Sequence, residues 1–242
     1  MPDRTPNDPS RRNLIVNATA LVIGAASLPV TLLAEEKEPE VTATEDLMRE
    51  HGVLRRALLV YHSAAEKLRT QPKAVNPEAI VKTAILFRDF GENYHERMLE
   101  EKYIFPVVRK ATGPAAKYPD ILVAQHQRGR EITDYILLVA KRGSIGTNDA
   151  SAVAQAMDAL VLMYQHHAAR EDTIVFPEWK KHFTEKQLDE FNDKFEEIEH
   201  KMFGKDGFDD AVDRIAAVEQ VLGIADISQF TAPRPPELPI KS

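Results

Sequence analysis

Residues 165–177, QHHAAREDTIVFP, repeat without a gap the pattern of residues 94–106, YHERMLEEKYIFP. The offset is constant (166 − 95 = 71) and pairs His95 with His166, Glu96 with His167, Glu100 with Glu171, Glu101 with Asp172, Phe105 with Phe176 and Pro106 with Pro177. Each stretch closes on a proline, which lacks an N–H and tends to end a helix. A lone histidine precedes each stretch, His51 in DLMREHGVLRRALL and His126 in LVAQHQRGREITDYILL. The chain therefore falls into two similar halves.

Successive residues of an α-helix turn by about 100° and rise about 1.5 Å, so Glu96/Glu100 and His167/Glu171 each lie one turn apart on one face. Two donors stacked in that way can clasp one cation. Four amphipathic helices that aim imidazoles and carboxylates inward, in two similar halves, are how helical bundles build a two-metal site. A single helical histidine is more often a satisfied core residue, and a single acidic pair is more often solvated. Repetition in register shifts the balance towards metal. The rival reading is a structural bundle without metal, its histidines filling the core.

Only ten glycines, with long runs rich in Ala, Leu, Glu, Lys and Arg, point to an all-α protein. The net charge of −7 and the scatter of basic residues argue against nucleic acid as a partner. There is no cysteine. Disulfides, thiolate ligands and a cysteine nucleophile are thereby excluded, and the remaining His and carboxylate donors suit iron, manganese or zinc. No serine nucleophile arrangement or phosphate-cradling glycine loop is visible, and no catalytic residue is assigned.

In chain order, residues 1–34 carry Arg11 and Arg12 ahead of an apolar stretch broken by Pro29. This resembles a twin-arginine secretion signal with a cleavage edge at Ala34, and it predicts an exported, periplasmic protein; the alternatives are an uncleaved membrane anchor and a cytoplasmic chain. Residues 35–43 read as a linker. A first helix is expected over 45–69 with Thr44 as its cap, a second from Pro77 to the first Phe-Pro, a third over 118–141 and a fourth over 149–175. Residues 44–182 thus form an up-down-up-down four-helix bundle in which the four contributions meet at one end. Two additional C-terminal helices are expected over 183–225, the first opened by Thr184 with Gln187 and closed by Gly204, the second over 209–222. Residues 226–242 are a proline-rich tail.

The expected inward donors are His51, Glu96, Glu100, His126, His167 and Glu171. His95 and His166 stand five residues before Glu100 and Glu171, about 140° away on a regular helix; a π-bulge would bring them in, so they remain alternative or supporting ligands. His62 lies eleven residues after His51, about 16 Å along the axis, too far to share its cation. It is expected as a core or interface histidine, with a supporting place beside the metal as the alternative, and His200 as a surface residue.

The arrangement of these residues resembles the hemerythrin-like, or HHE cation-binding, domains. The resemblance rests on His51, HERMLEE with Phe105-Pro106, His126, and HHAARED with Phe176-Pro177, and it covers about residues 44–179. It implies a non-haem di-iron centre, with two iron ions held by His51, Glu100, His126, His167, Glu171 and either Glu96 or His95. It also departs in two places. Oxygen-carrying members have a second histidine one turn after the first on the third helix, where this chain has Arg130, and a histidine where the favoured register puts Glu96.

Two functions of different class follow. One is a metal-binding module that engages dioxygen or a related small oxidant. The other is a di-iron oxidase or peroxidase, or an iron-handling or nitric-oxide-stress protein, with Tyr94, Tyr103 or Tyr164 relaying electrons from an unidentified donor.

Overall fold

A computed structural model of the chain describes residues 41–236. The expected signal segment and most of the linker lie outside the described residues, as does the end of the tail from residue 237. The described residues contain no strand.

Helix α1 spans Ala43–Thr70 and opens two residues earlier than the sequence suggested. Thr42, not Thr44, is its cap: the Thr42 hydroxyl accepts from the Glu45 N–H, and the Glu45 carboxylate accepts from the Thr42 N–H at 2.9 Å. This reciprocal box satisfies two orphan donors, which leaves Thr44 free to turn into the core. Helix α2, Pro77–Leu86, starts on a proline behind the cap Asn76, and continues without a break as a π-helical segment, Phe87–Ile104. A short helix α3, Phe105–Val108, follows. Helix α4 is Tyr118–Ala140. Helix α5, Thr147–Arg170, passes through a second π segment, Glu171–Val175, into α6, Phe176–Lys180.

Neither Phe-Pro pair ends its helix, contrary to expectation. In each π segment the last i,i+5 bond is made by the phenylalanine, from the Phe105 N–H to the Glu100 carbonyl and from the Phe176 N–H to the Glu171 carbonyl. The proline that follows sits where the ladder resets to i,i+4, at the opening of an α turn, a position that tolerates its missing N–H. Pro106 and Pro177 therefore mark a change of helical pitch.

Cross-helix contacts fix the topology. Along α1 from Glu50 through Leu54 to Tyr61, the neighbours on the second helix run backwards, from Tyr94 through Gly91 to Phe87. Glu101, Glu96 and Arg88 meet His126, Arg130 and Asp134 on α4. Gln125 and Gly129 meet His167 and Tyr164 on α5, while Asp172 and Asp158 meet Arg55 and Arg69 back on α1. Every neighbour is antiparallel, so the four long helices close an up-down-up-down ring.

Helices α7, Glu185–Phe203, and α8, Gly207–Leu222, complete the fold. The Thr184/Gln187 box opens α7, and Gly204, at φ 68°, ends it in the left-handed region that glycine enters without strain. Helix α8 starts two residues before the expected Asp209, because the Asp206 carboxylate caps it by accepting from the Asp209 N–H at 2.8 Å. A paired contact from Arg56 to Glu219 (2.9 and 2.5 Å) ties α8 to α1. Phe191 and Phe195 of α7 pack on Trp179, whose indole N–H donates to the Tyr103 carbonyl at 3.0 Å. The two added helices thus cover the outer side of the first half of the bundle.

Candidate metal centre

Four imidazoles and two carboxylates converge at one end of the ring. His51 comes from α1, His126 from α4 and His167 from α5, while His95 and Glu100 lie on the first π segment and Glu171 opens the second. All six are buried, Glu100 and Glu171 completely.

The imidazoles stand in pairs. His51 Nε2 lies 3.0 Å from His95 Nε2, and His126 Nε2 lies 3.1 Å from His167 Nε2. Between the pairs sit the carboxylates, each presenting one oxygen to each side. Glu100 Oε1 is 3.2 Å from His95 and its Oε2 3.3 Å from His126; Glu171 Oε2 is 3.4 Å from His51 and its Oε1 3.0 Å from His167. Two nitrogens bound to one first-row cation at about 2.1 Å and a right angle lie about 3.0 Å apart, so each pair has the spacing of two ligands on one ion.

The other ring nitrogens are tied down. His51 Nδ1 meets Asp172 Oδ1 at 2.6 Å, His95 Nδ1 meets Glu50 Oε2 at 2.6 Å, His126 Nδ1 meets Glu101 Oε1 at 2.9 Å and His167 Nδ1 meets Gln125 Oε1 at 2.9 Å. Each oxygen accepts an Nδ1–H, which fixes the tautomer and leaves the Nε2 lone pair aimed inward. The rings are held flat as well, with Phe176 stacked on His51 at 5.4 Å and Phe105 on His126 at 5.5 Å. The repeated Phe-Pro thus places each phenylalanine against the first histidine of the other half.

Whether a cation fits is decided by the carboxylates. All four oxygens of Glu100 and Glu171 are buried without a hydrogen-bond partner. Uncompensated ionised carboxylates of this kind are very costly, and the surrounding lone pairs offer them no donor once the imidazoles are neutral. In the absence of a cation, protons take over that role. Burial pushes His126 down, but the charge of Glu96 and the neighbouring Glu100 and Glu101 more than offset it and raise it to about 10. His95 is likewise held well above the usual imidazole range, against burial, by Glu100 and Glu50. Glu171 is held well below the usual carboxylate range, despite burial, chiefly by His167. A nitrogen–oxygen set that balances its buried anions with borrowed protons is one that a divalent cation fits.

Of the residues singled out in the sequence, His51, Glu100, His126, His167 and Glu171 stand at the centre. The sixth place is taken by His95, with Glu96 beside it. The reason is the ladder: a π-helix brings residue i+5 over residue i, so His95 stacks over Glu100, whereas His167 is still on α-helix and reaches Glu171 at i,i+4. Glu96 turns instead towards α4 and α5. It accepts from Tyr164 Oη at 2.6 Å and from Arg130 Nη2 at 3.0 Å, and the same guanidinium nitrogen donates to Glu101 at 2.5 Å. Glu96, Glu101 and His126 are close enough to hold a cation of their own, but Arg130 already supplies the positive charge. Gly129 makes this network possible, since a Cβ there would stand 2.2 Å from the Tyr164 oxygen.

The remaining candidates lie outside. His166 is exposed and contacts Arg170. His62 is not a core histidine: its side chain is 57% exposed, with Glu66 at 3.9 Å. His51 itself sits at the rim of the buried face, four residues before the exposed Arg55, and a drift of about 20° over eleven residues carries His62 past that rim. His200 is exposed, as expected.

Sequence reasoning missed the outer oxygens. Glu50 and Gln125 immediately precede the two lone histidines, and Glu101 and Asp172 immediately follow the two inner glutamates. The signal was present in the repeat, as acceptors flanking His51, His126, Glu100 and Glu171 at matched positions.

Beside the centre, between α1 and α5, His51, Leu54, Arg55, Leu58, Tyr164 and His167 line a narrow cavity with about 10 Å³ open to the centre of a water-sized molecule. No helix among the described residues is long and apolar enough to cross a membrane.

Comparison with known proteins agrees with this geometry. The hemerythrin HHE cation-binding domain profile matches residues 42–179. Uncharacterized protein Rv1995 of Mycobacterium tuberculosis and uncharacterized protein Mb2018 of Mycobacterium bovis are each 41% identical over 197 residues, covering 81% of this chain and 76% of theirs. No solved structure matches. From the profile match, which takes in all six converging side chains, the chain belongs to the hemerythrin HHE cation-binding family.

Proposed function

We propose that the protein binds two iron ions, one at each imidazole pair with Glu100 and Glu171 shared between them, and engages dioxygen or a related small oxidant there. The observation that carries the reading is the double pairing: two Nε2–Nε2 contacts of 3.0 and 3.1 Å flank two carboxylates whose oxygens have no hydrogen-bond partner. Bound iron would supply reversible one-electron chemistry and open positions for a small ligand. The chain supplies the rest. Asp172, Glu50, Glu101 and Gln125 orient the rings, Phe105 and Phe176 stack on two of them, and the cavity beside them has room for a molecule near the size of water.

A second reading, oxidase or peroxidase chemistry, is favoured by one feature of the cavity wall. The Tyr164 phenol donates to Glu96, which in turn accepts from Arg130, so a buried phenol and a clamped carboxylate stand beside the place where a small oxidant would sit. Neither feature is needed for reversible binding.

Metal analysis and optical spectroscopy test both. The first reading expects about two irons per chain and a reversible spectral change on adding and removing dioxygen. Fewer than about one bound ion per chain after loading with iron ends the metal reading. Irreversible oxidation with consumption of peroxide favours the enzyme. Export is proposed on the sequence of residues 1–34 alone, and periplasmic recovery of a chain shortened at Ala34 is the result it expects.

A further inference from the structure

The two imidazole pairs are backed by different chemistry. Behind His51 and His95 stand two carboxylates, Asp172 and Glu50, each at 2.6 Å. Behind His126 and His167 stand one carboxylate, Glu101 at 2.9 Å, and the neutral amide of Gln125 at 2.9 Å. The charged partners differ as well. Glu101 shares its oxygen with Arg130, whose side chain is 10% exposed, while Asp172 is paired with Arg55, which is 45% exposed and therefore well screened by solvent. Glu96 takes a share of Arg130, and Glu50 accepts a further bond from Tyr94.

A carboxylate that accepts Nδ1–H pushes electron density through the ring to Nε2 and makes it a stronger metal donor, whereas an amide oxygen does so less. Glu50 and Gln125 occupy matched positions, one residue before the first histidine of each half, and have the same shape. The difference between the halves at this point is thus one of charge rather than of packing.

Resting on the metal reading above, we infer that the two cation positions are unequal: the His51/His95 position binds a divalent cation more tightly and fills first, and Glu50 against Gln125 sets the difference. The His126/His167 position is the one that empties when metal is scarce. Changes to outer-shell partners of this kind alter metal affinity by about 10- to 100-fold, so the two steps should be separated by about tenfold or more.

Cobalt(II) is a suitable probe, added to the metal-free full chain. Calorimetric titration should resolve two steps, and anomalous diffraction from crystals given one equivalent should place the ion between His51 and His95. Glu50→Gln should weaken the tighter step about tenfold; Gln125→Glu should strengthen the weaker step about tenfold and divide the one-equivalent ion between both positions. An ion in the wild-type protein that is evenly divided, or that sits between His126 and His167, would overturn the inference. So would a Gln125→Glu variant with both steps unchanged. A wild-type chain that takes up no cobalt at all would bring down the metal reading together with the inference, an outcome distinct from two equal ions.

Discussion

The first half of the bundle reaches its inner donors through a long π ladder, the second half mostly through an ordinary α-helix. His95 is five residues from Glu100, His167 four residues from Glu171, and both pairs end in contact, at 3.2 and 3.0 Å. The comparison teaches that the repeat in the sequence holds in space at Glu100/Glu171 and Phe105/Phe176 but is offset by one residue at the histidine. The ungapped alignment pairs His95 with His166, but the counterpart of His95 in space is His167, and the helical pitch absorbs the difference.

The largest expected effect breaks both halves at once. Glu100→Ala or Glu171→Ala removes the oxygens shared by the two imidazole pairs and should abolish most metal uptake, while His62→Ala and His200→Ala leave it unchanged. Equal metal content across the four variants, measured by elemental analysis, would remove the assignment. A sharper cut separates the two ladders: His95→Ala should lose far more metal than Glu96→Ala, and His167→Ala far more than His166→Ala. The reverse order within either pair would mean that the helical register is wrong for that half, i,i+5 in the first and i,i+4 in the second.

A third prediction concerns pH. In the metal-free protein His126 is raised to about 10, so the stability it contributes is complete below its unfolded value of 6.5 and is lost as pH rises through about 10. His95 and His51, also raised, act in the same direction. Thermal melts of the metal-free chain should therefore weaken across that window more steeply than those of the metal-loaded chain, and loading near neutral pH should release protons into the buffer. Parallel melting profiles with and without metal would contradict the proton-for-cation exchange. A smaller effect is expected at Gly129→Ala, where the new methyl displaces Tyr164 from Glu96. Overpacking of this kind costs about 1–3 kcal/mol and should lower the melting temperature without removing the imidazole pairs. Smallest of all, Arg69→Ala breaks a half-exposed ion pair with Asp158 and should cost about 1 kcal/mol or less.

The fold was legible because amphipathic periodicity, Pro77 at a helix start and the Thr184/Gln187 box are local signals, and the four helices have few other ways to bury their apolar faces. The donors were legible as a set for the same reason, by recurring in register. What could not be read was pitch. A π segment is chosen by packing across the whole ring, and the residues of 87–104 carry no local mark that separates i,i+5 from i,i+4 bonding. Thr42 was passed over because Thr44 stands closer to the apolar stripe, although only Thr42 has a glutamate three residues on. The Glu96–Tyr164–Arg130 network was hidden for another reason: it joins three helices, and its enabling residue, Gly129, signals nothing until the phenol is seen against it.

The central claim, two cations held between Glu100 and Glu171, is tested most directly by anomalous diffraction at the iron absorption edge from crystals of the iron-loaded protein. Two peaks are predicted, one flanked by His51 and His95 and the other by His126 and His167. A map without peaks there, or with its peak among Glu96, Glu101 and His126 in place of Arg130, would contradict it.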